Sequence, residues 1–205
     1  LKSDLVGEFP ELQGIMGGHF AEAQGFAKEV YQSISEHYLP SGINSKVPKN
    51  LYSITLSLSD KLDNLVGFFG LDLIPTGSKD PYALRRNTIA LVRLIVENKI
   101  RIKLRSIINY SLTLYKEQGF EFDITKVLKE LNNFILDRLK NYSKEKDIRL
   151  DIIESTILSH DIDELYNGYK KAEVLNRSIR KEIGQDVIGI YKRSSNILNS
   201  EIVKN

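Results

Sequence analysis

Apolar residues recur at every third or fourth position along nearly the whole chain, and this spacing constrains the fold more than any other feature. The longest run covers 123–143 and contains Ile124, Val127, Leu128, Leu131, Ile135, Leu139 and Tyr142. Such spacing places apolar side chains on one face of an α-helix. Further helices are predicted over 22–38, 50–69, 81–98, 104–117, 148–158, 161–182 and 185–203. No segment has the alternation typical of a strand, so the sequence predicts an all-α protein.

Composition excludes several kinds of site. The chain has no cysteine, which rules out a disulfide framework, a cysteine-based zinc site and a thiol nucleophile. The sequence contains no run of 18 apolar residues, so no membrane span is predicted. The formal net charge is only +2, so any binding of nucleic acid would depend on a local basic surface.

The stretch IPTGSKDPYALRR, residues 74–86, combines turn-forming residues with a helix start. Asp80 is the predicted N-cap and Pro81 suits the first helical turn. Backbone N–H groups of the turn and the positive end of the helix dipole would then be free to bind a phosphate. Tyr82, close to the helix start, is predicted to be a core residue rather than a platform for a base.

Positive charge is concentrated after this turn. Between Lys79 and Arg105 there are eight Lys or Arg residues and two acidic residues, which leaves +6. Four basic residues are candidates for binding RNA phosphates: Lys79, Arg85, Arg86 and Arg93. The alternative for any one of these arginines is an ion pair with Asp60, Asp63 or Glu97 that clamps the helices together.

Catalytic chemistry has little support in the sequence. His19, His37 and His160 are the only histidines, and no Ser/His/Asp arrangement stands out. A metal held by His19, His37 and Asp60 is geometrically conceivable, whereas the SHD of residues 159–161 is better explained as a helix cap. We therefore expect no catalytic residue and no metal in this chain.

Four stretches, taken together, resemble one protein family. They are EFPELQGIMGGHFA (8–21), SLSDKLDNLVGFFGLDLIPTGSKDPYALRR (57–86), LVRLIVENKIRIKLRSII (91–108) and YKRSSNIL (191–198). In this order they resemble the β subunit of the bacterial two-subunit, class II glycyl-tRNA synthetase. The resemblance covers essentially the whole chain and implies an internal piece of a longer subunit.

The family resemblance implies a fold as well as a role. Residues 1–145 would form an HD-domain-like helical bundle, with Asp60 at a structural, degenerate HD position. Residues 146–205 would form a smaller helical linker leading into an anticodon-binding domain.

The implied role is to bind and position tRNA-Gly in the cytoplasm for a glycine-tRNA ligase. The separate α subunit, in a heterotetramer of two α and two β subunits, would use ATP and Mg²⁺, so this chain would need no cofactor. Two other functions remain open. One is a metal-dependent phosphohydrolase of the HD type, and the other is a scaffold that docks the α subunit.

Overall fold

The computed structural model describes residues 4–42, 44–157 and 162–202, and within these ranges the protein is helical with no named strand. Ten α-helices follow one another along the chain. They are α1 (Asp4–Glu8), α2 (Ile15–Ala23), α3 (Lys28–Glu36), α4 (Leu51–Gly70), α5 (Leu84–Glu97), α6 (Leu104–Glu117), α7 (Ile124–Glu145), α8 (Leu150–Thr156), α9 (Leu165–Ile179) and α10 (Glu182–Ile202). The predicted all-α class is therefore confirmed.

Helix α5 is the centre of the fold. It packs against α4, α7 and α9, and its seven residues from Ala90 to Val96 are all buried. Leu65 of α4 and Ile135 of α7 lie in the same fully buried cluster as Leu91 and Ile95. A helix that is buried over most of its circumference can carry a charged residue only where that charge finds partners inside the protein.

Several predicted helices agree closely with the structure. Residues 50–69, 104–117 and 123–143 correspond to α4, α6 and α7. Asp123 caps α7 as expected, because its Oδ1 accepts a hydrogen bond from the Lys126 amide at 3.0 Å. These helices have one apolar face against the core, so their spacing was informative.

The single helix predicted over 22–38 is confirmed only in its second part, since α3 covers Lys28–Glu36. The chain breaks between α2 and α3, where Gly25 has a φ of +79°. Phe26 and Val30, assigned to the apolar stripe of that helix, are exposed. The glycine ends α2 because it adopts the left-handed conformation that other residues rarely take.

The core continues past residue 145. Ile148, Ile152, Leu165 and Tyr169 belong to the same buried cluster as α4, α5 and α7. The division into segments 1–145 and 146–205, and the likeness of the first to an HD domain, stay predictions. At the end of the chain α10 is different, since Ile183, Val187, Ile190 and Leu198 all lie exposed on it.

No helix among the described residues is both long enough and apolar enough to cross a membrane.

Candidate nucleic-acid interface

The start of α5 is capped from a distance. Helical geometry begins at Leu84, preceded by Ala83 with a left-handed φ of +53°. The Asp80 carboxylate accepts hydrogen bonds from the amides of Leu84 at 2.8 Å and Arg85 at 3.0 Å. Asp80 therefore caps the helix, as its residue type suggested, but it is not the N-cap residue. The prediction that Pro81 lies in the first helical turn is wrong.

This capping removes the phosphate site expected at the helix end. Two amides of the first turn already donate to an anion that belongs to the chain itself. The turn before the helix is also closed internally, because the Lys79 amide donates to the Thr76 carbonyl at 2.9 Å. The positive end of the α5 dipole is thus largely neutralised by Asp80. Any phosphate would have to be bound by side chains instead.

Two of the four predicted RNA-binding residues have side chains available for this purpose. Lys79 and Arg86 are exposed, and neither side chain forms an ion pair or hydrogen bond with another part of the chain that the structure describes. Arg85 is half-buried, and its Nη2 donates to the Gly77 carbonyl at 2.6 Å. Arg85 therefore helps to hold the turn while Lys79 and Arg86 face the solvent.

Arg93 lies in the interior. It is 7% exposed, and its Nε donates to Glu97 Oε1 at 2.7 Å. Its Nη1 donates to the Gly42 carbonyl, and its Nη2 donates to the Ser45 carbonyl at 2.9 Å. Every nitrogen of the guanidinium thus has an acceptor within the fold. This geometry favours the alternative of an intramolecular clamp and takes Arg93 out of the proposed RNA surface.

The acidic partner of Arg93 is also tied into the core. Glu97 Oε1 accepts a second hydrogen bond, from the Tyr142 hydroxyl of α7 at 3.4 Å. Burial, together with the nearby Glu97 carboxylate, raises the pKa of Tyr142 well above its usual value. The cluster therefore joins α5, α7 and the segment before α4 through one ion pair.

The concentration of basic residues seen in the sequence is consequently not one surface. Lys79, Arg85 and Arg86 lie at the N-terminal end of α5, while Lys99, Arg101 and Lys103 follow its C-terminal end. A helix of 14 residues separates the two groups by about 20 Å. Arg86 and Arg93 lie seven residues apart on α5, but they cannot both contact one RNA strand, because only Arg86 is exposed.

A polar cleft opens beside Arg86. Its volume is about 280 Å³, and it lies between α4, the start of α5 and the segment around Pro40. Asp60, Lys61 and Asn64 line it from α4, and Tyr82, Arg86 and Asn87 line it from the other side. The cleft brings Asp60 and Arg86 to one place, as the sequence allowed, but no ion pair joins them in the described chain.

Lys61 forms a buried wall of this cleft. It is 3% exposed, and its Nζ donates to the His37 carbonyl at 3.2 Å. Burial lowers the pKa of Lys61 to about 8, although the neighbouring Asp60 carboxylate opposes the shift. At neutral pH the amine is thus mainly protonated, and it places a positive charge behind the cleft.

The two histidines that the structure describes do not form a metal site with Asp60. His19 is exposed and lies 4.0 Å from Glu22, and the ring of His37 is hydrogen bonded to the Ile34 carbonyl. No group of three or more His, Asp or Glu side chains in the described ranges could hold a metal ion. His160 lies outside the described residues. The absence of a metal centre in the protein stays a prediction.

Sequence reasoning missed Lys61, Asn87 and the exposure of Tyr82. Asn87 Nδ2 donates to the Lys61 carbonyl at 3.1 Å and so links α5 to α4. Tyr82, predicted to be a core residue, is 46% exposed. Of these features, only the burial of Lys61 could have been predicted from the sequence. Lys61 lies among Ile54, Leu58, Leu62 and Leu65, on a helix with a wide apolar face.

Comparison with known proteins supports the family resemblance that the four sequence stretches indicated. The family model described as "Glycyl-tRNA synthetase beta subunit" matches residues 1–158. A glycine–tRNA ligase beta subunit of Cereibacter sphaeroides is 38% identical over 204 residues, covering 100% of this chain and 29% of the relative. That of Rickettsia canadensis is 38% identical over 202 residues, covering 98% and 29%.

A third beta subunit, from Phenylobacterium zucineum, is 38% identical over 201 residues and covers 98% of this chain. The chain spans 27% of that relative's length. The match extends over nearly all of the described helices and includes the cleft and both ends of α5. The chain therefore belongs to the glycyl-tRNA synthetase beta subunit family.

Proposed function

We propose that this chain is part of the β subunit of a glycine-tRNA ligase and that it binds and positions tRNA-Gly. The α subunit would then attach glycine in an ATP-dependent reaction. The observation that carries the proposal is a cationic surface without internal partners, formed by Lys79 and Arg86, in a member of this family. Free cations beside an open cleft are suited to binding a phosphate backbone.

The contribution of the chain is binding rather than bond-making. Lys79 is a mobile point charge, whereas the planar guanidinium of Arg86 can bind two phosphate oxygens at once. Such contacts orient the RNA and depend little on its sequence. ATP and Mg²⁺ would act in the α subunit, in a heterotetramer of two α and two β subunits, and the assembly would work in the cytoplasm.

A scaffold role is the second candidate, and one surface favours it. An apolar groove of about 860 Å³ runs between α4 and α6. Leu51 and Tyr110, which line it, are 73% and 65% exposed. A groove of this kind would suit a helix of the α subunit or of the remaining β subunit. A phosphohydrolase of the HD type has no comparable support, because no described side chains gather into a metal site.

The experiment uses the complete two-subunit enzyme, with the variants Lys79→Ala and Arg86→Ala. Affinity for tRNA-Gly is measured by fluorescence anisotropy over a series of salt concentrations. Each variant should weaken binding and reduce the slope of log affinity against log salt by about one. Lys129→Ala is the matched control, because Lys129 is an exposed lysine on α7 that does not line the cleft.

Assembly of the two subunits is measured on the same samples by analytical ultracentrifugation. The tRNA-binding proposal requires normal assembly with weaker tRNA binding. Unchanged affinity and salt slope in both variants would contradict it. Loss of assembly in Leu51→Asp, with tRNA binding by any remaining complex intact, would instead support the scaffold.

A further inference from the structure

The cleft beside Arg86 contains two opposite charges that the fold leaves uncommitted. The Asp60 carboxylate and the Arg86 guanidinium both line it. Neither side chain forms an ion pair or hydrogen bond within the part of the chain that the structure describes. Elsewhere on α5 the comparable pair, Arg93 and Glu97, is in contact at 2.7 Å. Asp60 and Arg86 are therefore both available to bind a ligand, each through its own charged group.

The two charges together limit what the ligand can be. A bare anion would be attracted by Arg86 and Lys61 but repelled by Asp60. A bare cation would be attracted by Asp60 but repelled by Arg86 and Lys61. A ligand with an anionic group at one end and hydroxyl or amino donors at the other would satisfy both sides. A ribonucleotide has this pattern, because it joins a phosphate to ribose hydroxyls and a base.

An aromatic ring lies in the same cleft. Tyr82 stacks on Phe68 with ring centroids 4.3 Å apart and an interplanar angle of 25°. Phe68 thus supports one face of the tyrosine, and Tyr82 remains 46% exposed. A supported and exposed ring is a suitable platform for an unpaired base, because any base can stack on it regardless of sequence.

The buried part of the cleft is cationic. Lys61 is 3% exposed and is held by the His37 carbonyl, while Asn87 bonds to the Lys61 carbonyl. The first contact joins α4 to the end of α3, and the second joins α5 to α4, next to Asp60 and Arg86. The site is therefore positioned by the fold before any ligand enters, which reduces the entropy lost on binding.

From this arrangement we infer that the cleft binds one unpaired nucleotide of the RNA. Arg86 binds its phosphate, Asp60 accepts hydrogen bonds from its ribose hydroxyls, and Tyr82 stacks against its base. Lys61 is a positioning residue that adds positive charge from behind. The inference rests on the proposed function for the identity of the partner as RNA, and it adds the place and the mode of contact.

The test uses the complete two-subunit enzyme and cytidine 5′-monophosphate as the probe, so that a site for adenine nucleotides does not dominate the signal. Binding is followed by saturation-transfer NMR of the nucleotide, with inorganic phosphate and 2′,3′-dideoxycytidine 5′-monophosphate for comparison. Arg86→Ala should weaken cytidylate binding about tenfold or more, whereas Arg86→Lys should retain part of it. Tyr82→Leu should weaken it about tenfold.

Asp60→Asn gives the most specific readout. It should weaken cytidylate several-fold, because an amide is a poorer acceptor for two hydroxyls, and it should strengthen inorganic phosphate by removing a repulsion. The dideoxy nucleotide keeps the phosphate but has no hydroxyl for Asp60, so it should bind Asp60→Asn more tightly than the wild type, as inorganic phosphate does. A merely structural defect would weaken all three ligands together. Lys129→Ala again serves as the control.

The outcomes separate this inference from the proposed function. Cytidylate binding that Arg86→Ala and Tyr82→Leu both leave unchanged would overturn the nucleotide site, even if the salt slope for tRNA still falls. Competition by glycine at this site would also overturn it, in favour of an amino acid. If Arg86→Ala and Tyr82→Leu lose cytidylate binding while their tRNA affinity is unchanged, the assignment of the nucleotide to RNA fails, and the proposed function fails with it only if Lys79→Ala also leaves tRNA affinity and salt slope unchanged.

Discussion

The two ends of helix α5 carry arginines of equal charge in opposite situations. At the C-terminal end, Arg93 is buried and donates to Glu97 and to two backbone carbonyls. At the N-terminal end, Arg86 is exposed and lines a cleft. The difference follows from the number of acceptors that the surrounding chain supplies. A satisfied arginine stabilises the fold, whereas an unsatisfied one is available to a ligand.

The largest expected effect is at the buried end. Arg93→Ala would remove the cation paired with Glu97, whose carboxylate would keep only the long hydrogen bond from the Tyr142 hydroxyl, and would remove the guanidinium donors to the Gly42 and Ser45 carbonyls. We expect the free energy of unfolding to fall by about 3 kcal/mol. Urea denaturation measures this loss. Arg93→Lys should recover little of it, because one ammonium cannot reach three acceptors in a planar fork. An unchanged free energy of unfolding for Arg93→Ala would mean that Arg93 does not stabilise the fold, and the contrast with Arg86 would be lost.

Next comes Lys61, whose charge is opposed by burial. Its folded pKa of about 8 lies below the unfolded value of about 10.5. Between these two values the unfolded state binds more protons, so stability must rise with pH. We expect this contribution to amount to about 3 kcal/mol in total.

The check is the difference in unfolding free energy between the wild type and Lys61→Met, measured from pH 7.5 to 10.5. Subtraction removes the ionisation of tyrosines common to both proteins. The difference should shift in favour of the wild type as pH rises. A flat difference would mean that Lys61 is well solvated, and the cleft would then lack its buried cation.

A smaller effect is expected for the cap of α5. Asp80→Ala removes the acceptor for two amides and should cost about 1 kcal/mol, measured by urea denaturation. It should leave tRNA affinity equal or higher, because a carboxylate near the cationic surface is lost. Asp123→Ala, which removes the cap of α7, is the control for cap loss elsewhere. A drop in tRNA affinity for Asp80→Ala alone would indicate that the turn must be held rigid to meet RNA.

The smallest effect should be that of Arg86→Ala on stability. The side chain is exposed and donates to no described acceptor, so the free energy of unfolding should change by less than about 0.5 kcal/mol. Thermal and urea unfolding of this variant and of Arg93→Ala should therefore differ clearly. Destabilisation by Arg86→Ala as large as that by Arg93→Ala would show that both ends of α5 serve the fold.

Sequence reasoning succeeded where information is local. The apolar spacing located α4, α6 and α7, and the residue type at Asp123 identified a cap that the structure contains. The start of α5 was placed three residues too early, because Asp80 reaches the helix across a left-handed Ala83. Backbone conformations of this kind leave little trace in residue type.

The candidate site was harder to predict, because the role of each basic residue depends on distant parts of the chain. Arg93 meets carbonyls about 50 positions earlier in sequence, at Gly42 and Ser45. Lys61 and Asn87 come together only when α4 packs against α5. Counting charges over Lys79–Arg105 therefore grouped the end of α5 with the exposed Arg86 together with the end where Arg93 is buried and paired.

The central claim is that RNA meets the N-terminal end of α5 and not the clamp at its other end. Hydrogen–deuterium exchange of the complete two-subunit enzyme, with and without tRNA-Gly, tests it directly. Peptides covering residues 75–83 should exchange more slowly when tRNA is bound, and peptides covering 44–49, beside Arg93, should not change. Protection confined to 44–49, or no protection over 75–83 at saturating tRNA, would contradict the account.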